Sequence, residues 1–371
     1  MDAIILMGAD PLYGERTLKT IANGVKHLGE RYVYDIWRYE IELFGKSIAN
    51  YILDATDESS LLGKRAIVVP GNVERSEFFR GVLQGRVKPY IFMESGTRIQ
   101  NVLNALEILD TDKPVMIICG DLPLVQGQHI DALLERYESF SKPNYIPWTT
   151  KTVMRDFPRT YLHVKDDLWN TNQEKDRYGN ALIKEPNCGI VRLDGADITF
   201  LKSILESRKA YTIRNSVRIL LEIAYQVSRH LLRIVTVTFL DDPIYIPRCM
   251  SGCLRTYANY HWGTGGKAAG MSDMKRLISI VAGVSDEQIV FDELIVRELS
   301  MDCDSVQDVY RIAVEMCARE GKPLTGSIED KWRKVEQYIT YRGEPLIDYL
   351  CSSRVSPEIR MDKEEFYSTA W

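Results

Sequence analysis

The sequence has no hydrophobic run long enough to cross a membrane and no marked excess of basic residues. Its apolar stretches fall short of the roughly 18 uninterrupted apolar residues that a membrane-spanning helix needs. The formal net charge is −5, and no region is strongly basic, which argues against extended nucleic-acid binding. The opening DAIILMGAD carries an apolar run too short for a signal peptide and lacks a basic flank. We therefore expect neither a membrane segment nor a nucleic-acid partner.

Cysteine does not form the pattern of a disulfide framework. The chain has 7 cysteines in 371 residues, an odd number, and several lie within apolar runs. This is typical of a reduced, cytoplasmic protein. Cys249, Cys253 and His261 come close together in the sequence, but their spacing fits no common closed zinc site and a fourth ligand is missing. The sequence also predicts no internal repeat and no low-complexity tract.

Short apolar strands alternate with amphipathic helices over the first 140 residues. Continuous apolar runs, typical of strands covered on both faces, predict strands at residues 2–7, 66–69 and 115–119. Apolar residues at helical spacing predict helices at residues 46–56, 98–109 and 127–140. This alternation predicts an α/β fold with a doubly wound, mostly parallel mixed sheet, in which ligands bind beyond the carboxyl ends of the strands.

The rest of the chain is less regular. Short strands are predicted within RTYLHVKDDLW and GIVRLDG, followed by a helical stretch at 200–234 and a flexible break at 263–270, GTGGKAAG. Strand and helix return over 286–318, and the charged, aromatic tail at 319–371 has small helices of its own. We expect an α/β domain over residues 1–318 and a C-terminal helical extension over residues 319–371.

A single carboxylate follows the third predicted strand, in the sequence Gly120-Asp121-Leu122-Pro123. A carboxylate at the C-terminal end of a parallel strand lies at the functional edge of the sheet. Magnesium is usually bound through one or two carboxylates together with substrate phosphates. The alternative is a helix N-cap, which Pro123 makes less fitting. Asp121 is therefore a candidate metal ligand.

Two other loops could contact a nucleotide. The turn after the first strand, Leu6-Met7-Gly8-Ala9, contains a glycine that would let backbone N–H groups approach a phosphate. The segment ESGTRIQNVLNAL brings Arg98 and Asn101 to the start of a helix, where their side chains could contact a base or a phosphate. An ordinary helix start explains the second segment equally well.

Taken in order, several motifs resemble one known family. They are the glycine turn after the first strand, FGKSIANYILDA, GTRIQNVLNAL, ICGDLPLV, RTYLHVKDD, GIVRLDG and DCDSVQDV. The set is similar to the MobA-like nucleotidyltransferases that build molybdenum-cofactor dinucleotides, and to related cytidylyltransferases of isoprenoid and acidic-sugar pathways. The resemblance covers roughly residues 1–318 and implies a nucleotide-diphospho-sugar transferase-like fold.

The resemblance implies a reaction and a metal. A nucleoside triphosphate would give its nucleoside monophosphate to a small phosphorylated or phosphonate-type acceptor, with release of pyrophosphate. It also implies Mg²⁺ on Asp121 and Asp304, with Asp302 as a nearby alternative to Asp304. A helix N-cap is the second interpretation of Asp304.

The resemblance further implies which cations hold the triphosphate. Arg38 stands a few residues before Gly45-Lys46-Ser47, the counterpart of the family's Gly-Lys-Pro, and Lys46 belongs to the same set. Arg16 and Lys19 offer a second alignment, followed by an insertion of about 20 residues. Contacts to the nucleotide are implied for Leu6, Met7, Gly8, Ala9, Arg98, Asn101 and Gly120.

The resemblance favours one nucleotide but does not identify the acceptor. The TRIQNVLNAL segment is more similar to the cytidylyltransferases, so CTP is favoured over GTP, and Arg208, Lys209 and Arg214 could take the acceptor phosphate. Two alternatives stay open: a nucleotide-sugar-dependent glycosyltransferase, and a non-catalytic binding protein on a degenerate transferase fold, which the single glycine of the first loop would suit. The tail would cover an edge of the sheet or form a homodimer contact.

Overall fold

The structure is a computed structural model of the chain, and it describes only part of the sequence. The described residues are 1–7, 11–15, 19–21, 25–27, 31–69, 73–86, 88, 90–93, 98–109, 113–154, 162–165, 168, 175, 179–184, 187–192, 270–282, 284–294 and 296–368. The helix expected at 200–234, its basic residues and the Cys249–Cys253–His261 group lie outside these ranges, as does the break at 263–270 except for Gly270.

Helices alternate with strands along the described chain. The helices are α1 (Ile48–Glu58), α2 (Val73–Leu83), α3 (Arg98–Ile108), α4 (Gly127–Glu138), α5 (Lys151–Met154), α6 (Met271–Ala282), α7 (Val306–Arg319), α8 (Ile328–Val335), α9 (Leu346–Cys351) and α10 (Lys363–Ser368). Short 3-10 turns lie at Arg38–Glu40, Asp286–Gln288, Arg297–Ser300 and Glu336–Tyr338. None of the described helices is long and apolar enough to cross a membrane.

The strands include all those expected from the apolar runs. They are β1 (Asp2–Leu6), β2 (Pro11–Glu15), β3 (Lys19–Ile21), β4 (Val25–His27), β5 (Arg31–Trp37), β6 (Glu42–Leu43), β7 (Lys46–Ser47), β8 (Arg65–Val68), β9 (Tyr90–Met93), β10 (Val115–Cys119), β11 (Asn144–Thr150), β12 (Leu162–Val164), β13 (Ala181–Lys184), β14 (Cys188–Val191), β15 (Ile289–Glu293), β16 (Ile339–Tyr341) and β17 (Glu344–Pro345).

A nine-stranded mixed sheet organises the described part of the molecule. Its order is β12-β13-β11-β14-β10-β1-β8-β9, and β15 also pairs with β11. The pairs β10–β1, β1–β8, β8–β9 and β11–β15 are parallel, and only β13 and β14 run against the other strands of this sheet. The predicted α/β fold with a mostly parallel mixed sheet is thereby confirmed.

The central strand β1 explains why the sheet is covered on both sides. Ala3 and Ile5 belong to the larger hydrophobic cluster, whereas Ile4, between them, packs with Val102 and Leu106 of α3 in a second cluster. Successive side chains of a strand point to opposite faces. A strand covered on both faces therefore needs a continuous apolar run. The parallel pairing of β1 with β10 places the carboxyl ends of these two strands side by side.

The segment between β1 and α1, in which the resemblance implied an insertion of about 20 residues after Lys19, contains a β-sheet arm. Strand β2 pairs antiparallel with β5, and β3 pairs antiparallel with β4. The arm returns the chain to the sheet edge at Trp37, and the 3-10 turn Arg38–Glu40 follows at once. Residue 38 is thus brought back to the end of β1 by the pairing of β2 with β5.

The expectation of no internal repeat was wrong. Residues 41–52, IELFGKSIANYI, and residues 339–350, ITYRGEPLIDYL, share one pattern of apolar residues around a Gly. Each forms a hairpin and then a helix: β6–β7 before α1, and β16–β17 before α9. The two hairpins pair antiparallel through β6 and β16, giving a four-stranded sheet β17-β16-β6-β7 with local two-fold pseudosymmetry. Only three of the twelve aligned residues are identical, so the repeat is visible mainly as a pattern.

The tail packs into the main core. Trp332 of α8 stacks on Phe366 of α10, with ring centroids 5.0 Å apart, and Tyr310 of α7 meets Phe366 edge-on at 4.9 Å. These three buried side chains belong to the same hydrophobic cluster as Ile5 of β1. Residues beyond 319 therefore contribute to the core that carries the central sheet.

Candidate active site

The turn after β10 is formed by close backbone packing against the end of β1. Gly120 donates its N–H to the carbonyl of Leu6 at 2.9 Å. A Cβ on Gly120 would lie 2.1 Å from the sulfur of Met7 and 3.2 Å from the Leu6 carbonyl oxygen. Only glycine fits at this contact without a shift. It places Asp121, which is 6% exposed, at the carboxyl edge of two adjacent parallel strands.

Arg38 joins the two aspartates that the sequence singled out. Its guanidinium nitrogen Nη1 donates to Asp121 Oδ2 at 2.5 Å and to Asp304 Oδ1 at 2.5 Å. The same nitrogen lies 3.4 Å from the carbonyl oxygen of Cys303. Arg38 is 4% exposed and Asp121 is 6% exposed, so these two charged groups are buried, whereas Asp304 lies at the solvent side of the contact.

The protonation of this triad follows from burial and charge. Burial by itself would lower the pKa of Arg38, but Asp121 and Asp304 outweigh it and raise the pKa well above its ordinary value. Burial raises the pKa of Asp121, Arg38 lowers it, and Asp304 and then Asp302 raise it again. The guanidinium is therefore charged. The pKa of Asp121 is raised overall, because burial and the neighbouring carboxylates outweigh the opposing effect of Arg38.

The N-cap interpretation of Asp304 is wrong. Helix α7 is capped by Ser305, whose Oγ accepts from the N–H of Asp308 at 3.2 Å. The carboxylate of Asp308 in turn accepts from the N–H of Ser305 at 3.2 Å, which completes a capping box. Similarly, Gln126 rather than Asp121 is the N-cap of α4.

The Asp304 side chain is 45% exposed, so the Asp121–Asp304 pair reaches solvent on the Asp304 side.

Asp302 lies beside the triad with partners of its own. Its Oδ2 accepts from Lys184 Nζ at 3.3 Å and from Asn187 Nδ2 at 3.0 Å. Both donors are buried, and the sequence reasoning missed them. The available signal was a lysine at the end of the otherwise apolar strand ALIK, because a buried ammonium group needs a carboxylate partner. The N–H of Cys303, next to Asp302, donates to the Asp121 carbonyl at 3.1 Å and joins the two loops.

The structure places some of the other candidate residues elsewhere. The ammonium group of Lys46 pairs with Asp54 and lies 4.3 Å from the centroid of the Tyr51 ring. Asn101 is fully buried, and its Nδ2 donates to the Val69 carbonyl at 2.8 Å, which fastens α3 to the end of β8. The side chain of Lys46 therefore contacts residues of α1. The Nδ2 group of Asn101 binds the protein backbone.

The first loop is described only at its beginning. Met7 is fully buried and donates its N–H to the Val68 carbonyl at 3.0 Å, and Leu6 ends β1. Gly8, Ala9 and Arg16 lie outside the described residues. The backbone of Lys19 lies in β3 and that of Arg98 begins α3, while their side chains are not described.

The donor set suits a magnesium ion that also has ligands from a substrate. Within the described ranges, no group of three or more His, Cys, Asp or Glu side chains is arranged to hold a metal. Asp121 and Asp304 nevertheless direct one oxygen each at a single point, 2.5 Å away in both cases. Two carboxylate oxygens are what Mg²⁺ commonly takes from a protein when phosphates and water complete its coordination. The residues fit the ion once Arg38 has left that point.

Comparisons with known proteins give limited similarity. No model of a protein family matches the chain. Over 156 residues the chain is 29% identical to bifunctional protein GlmU of Desulfotalea psychrophila, a similarity covering 40% of this chain and 43% of that protein. The chain therefore spans less than half the length of this curated relative, and the similarity is too limited to assign a family.

Solved structures with similar chains cover more of the molecule at lower identity. A hypothetical transferase from Thermus thermophilus matches with a TM-score of 0.43 and 15% identity, over 83% of this chain and 98% of that chain. The 4-diphosphocytidyl-2C-methyl-D-erythritol synthase of Anaerococcus prevotii matches with a TM-score of 0.39 and 11% identity, over 85% and 97%.

Proposed function

We propose that the chain is a Mg²⁺-dependent nucleotidyltransferase. It would move a nucleoside monophosphate from a nucleoside triphosphate to a small phosphorylated or phosphonate-type acceptor, and CTP is the favoured donor. The observation that carries the proposal is the convergence of Asp121 and Asp304 at the carboxyl edge of a parallel sheet. This is the edge at which such folds bind ligands, and the pair has the composition of a magnesium site completed by phosphates.

The chemistry needs positioning and charge neutralisation more than covalent participation. An acceptor phosphate oxygen attacks the α-phosphorus in line, the new P–O bond forms, and the bond to the leaving pyrophosphate breaks. A bound Mg²⁺ would neutralise negative charge on the phosphate oxygens. Asp121 and Asp304 would hold the metal, and Gly120 keeps Asp121 in place through its contact with β1.

Arg38 and Lys184 supply the positive charge of the described site. Arg38, which is buried and charged, would stabilise the negative charge that develops on the departing pyrophosphate. Lys184 is held by Asp302 at 3.3 Å, so its charge is fixed near the same sheet edge. These two cations face the three carboxylates of Asp121, Asp302 and Asp304, so a bound Mg²⁺ would be needed to make the local charge positive and favourable for a polyanion.

Nucleotide binding and pyrophosphate release test the proposal. With Mg²⁺ present, calorimetry is expected to show binding of CTP in preference to ATP, GTP and UTP. Pyrophosphate release is expected with at least one member of a panel of sugar phosphates, polyol phosphates and phosphonates. Asp121→Asn should abolish release, because the amide keeps the shape of the side chain but loses the anionic ligand.

Asp131→Asn is the matched control. Asp131 accepts from Ser59 Oγ at 2.5 Å and from the Ser60 N–H at 3.0 Å, away from the triad. The same loss of charge there should leave pyrophosphate release unchanged. The proposal is wrong if none of the four triphosphates binds, or if Asp121→Asn turns over at the rate of the parent protein.

A further inference from the structure

The cation between Asp121 and Asp304 is part of the protein itself. We propose that Arg38 and a divalent metal ion are alternative partners of this carboxylate pair. The guanidinium holds the pair while no nucleotide is bound, and it moves to the triphosphate when the metal takes its place. This inference rests on the proposed function, because it concerns the metal and the triphosphate of that reaction.

The geometry makes the two cations mutually exclusive. Asp121 Oδ2 and Asp304 Oδ1 both lie 2.5 Å from the same atom, Arg38 Nη1. A magnesium ion bound to both oxygens would lie about 2.0–2.1 Å from each, which is nearly the place that Nη1 fills. Two positive groups cannot share that point, so metal binding requires the side chain of Arg38 to leave.

The charges explain why the site keeps a cation of its own. Without one, the carboxylates of Asp121 and Asp304 would face each other at close range with Asp302 nearby, and their mutual repulsion would be uncompensated. The guanidinium of Arg38, 2.5 Å from an oxygen of each, offsets this repulsion until a metal arrives. Because the Asp304 side chain is 45% exposed, the pair is accessible to an arriving ion from that side.

The contacts of Arg38 also favour its transfer to a phosphate. A guanidinium binds a carboxylate or phosphate best through two parallel N–H···O bonds. In the triad, both carboxylates are contacted through the one nitrogen Nη1. A triphosphate beside the metal would accept such a pair of N–H···O bonds from Arg38. The incoming ligands therefore compensate for the contacts that Arg38 gives up.

Metal binding without nucleotide tests the exclusion directly. Titration with Mn²⁺, followed by the electron paramagnetic resonance signal of the free ion, is compared in the parent protein, Arg38→Gln, Arg38→Lys and Arg38→Gln/Asp121→Asn. Arg38→Gln should lower the Kd for Mn²⁺ at least tenfold, because it frees the carboxylate pair from its built-in cation. Arg38→Lys, which keeps the charge, should show a smaller gain, and the double variant should lose the gain.

The outcomes separate this inference from the proposed function, because the titration contains no substrate. Equal Mn²⁺ affinity in the parent protein and Arg38→Gln, or weaker binding in Arg38→Gln, would overturn the exclusion even if pyrophosphate release is observed. Conversely, if no nucleotidyl transfer is observed, the Mn²⁺ titration still tests whether Arg38 and the metal exclude each other. If Arg38→Gln does not fold in metal-free buffer, Mn²⁺ is expected to restore its cooperative unfolding transition. If Mn²⁺ restores the cooperative unfolding transition of neither Arg38→Gln nor the double variant, the proposal is also contradicted.

Discussion

Asp304 and Ser305 are neighbours with separate tasks. Ser305 caps α7 and so satisfies N–H groups at the start of the helix, whereas Asp304 turns its carboxylate to Arg38. A cap contributes to folding stability, while an oxygen directed at a shared cation site contributes to binding. The structure therefore allows the two functions to be tested one residue apart.

We predict that Ser305→Ala mainly lowers stability and that Asp304→Asn mainly lowers activity. Ser305→Ala should lower the free energy of unfolding by about 0.5–2 kcal/mol, the usual cost of a lost cap, with pyrophosphate release unchanged. Asp304→Asn should reduce pyrophosphate release at least tenfold but lower stability by less than about 1 kcal/mol, because solvent screens the exposed Asp304 carboxylate and Arg38 keeps its contact with Asp121. Urea unfolding and pyrophosphate release on both variants check this. A destabilised Asp304→Asn with normal turnover would restore the structural interpretation of Asp304.

At the scale of the element, the two hairpins of the internal repeat depend on backbone conformations that favour glycine. The turn between β6 and β7 has φ angles of 54° at Phe44 and 75° at Gly45. The turn between β16 and β17 has 53° at Arg342 and 83° at Gly343. Two consecutive residues with positive φ are the signature of the tight hairpin turn that matches strand twist.

We predict that Gly45→Ala and Gly343→Ala destabilise the protein by similar amounts. A Cβ would meet nothing within 4 Å at either glycine, so the cost is conformational, roughly 1–2 kcal/mol each. Gly81→Ala is the control: Gly81 lies in α2 with equally open surroundings, and alanine there should stabilise by about 0.5–1 kcal/mol. Urea unfolding midpoints of the three variants, compared with that of the parent protein, test this prediction. Gains at all three glycines would mean that the hairpin turns do not have positive φ.

The elements that the sequence predicted well are those with a simple period. Strand β10 begins and ends where its apolar run does, and α3 and α4 match their apolar faces to within two residues. Helix spacing and buried strands leave such patterns because each residue's environment depends on its neighbours in the chain. The ends of these elements then located Asp121 without any structural information.

The parts that could not be predicted depend on distant pairing. Strands β2 to β4 of the arm have only three to five residues, too few to show a period, and each strand of the arm pairs with an antiparallel partner. The approach of Arg38 to Asp121 and Asp304 requires both that arm and the loop before α7. The resemblance to a family supplied Asp304 and Arg38, with Arg16 and Lys19 as the alternative to Arg38, but not the direct contact of Arg38 with Asp304. Lys184 and Asn187 were missed because their partner, Asp302, is remote in the sequence.

For the whole molecule, the aromatic cluster of the tail is part of the main core. Trp332 is 1% exposed and packs against Phe366, while Arg311 lies 5.6 Å from the centroid of its ring. This cluster extends the packing of α7, the helix that begins just after Asp304. Loosening the tail should therefore loosen the element that positions Asp304.

We predict that Trp332→Ala lowers the free energy of unfolding by about 3–5 kcal/mol, the usual cost of removing a buried aromatic side chain. Ile328→Ala, in the same helix but at a residue that is 41% exposed, should change it by less than about 0.5 kcal/mol. Thermal unfolding of both variants measures the difference. Equal midpoints would show that the tail folds apart from the core.

The pairing of β6 with β16 also determines when the fold can be completed during synthesis. Glu42 of β6 and Thr340 of β16 are 298 residues apart. At about 5–20 residues per second, translation places roughly 15–60 s between the two strands. The first hairpin therefore emerges from the ribosome long before its partner exists, and the edge of β6 has no β16 to pair with for that time. An unpaired edge is open to other chains, so the slow arrival of the second hairpin makes the nascent chain most vulnerable to aggregation before residue 339 has been made.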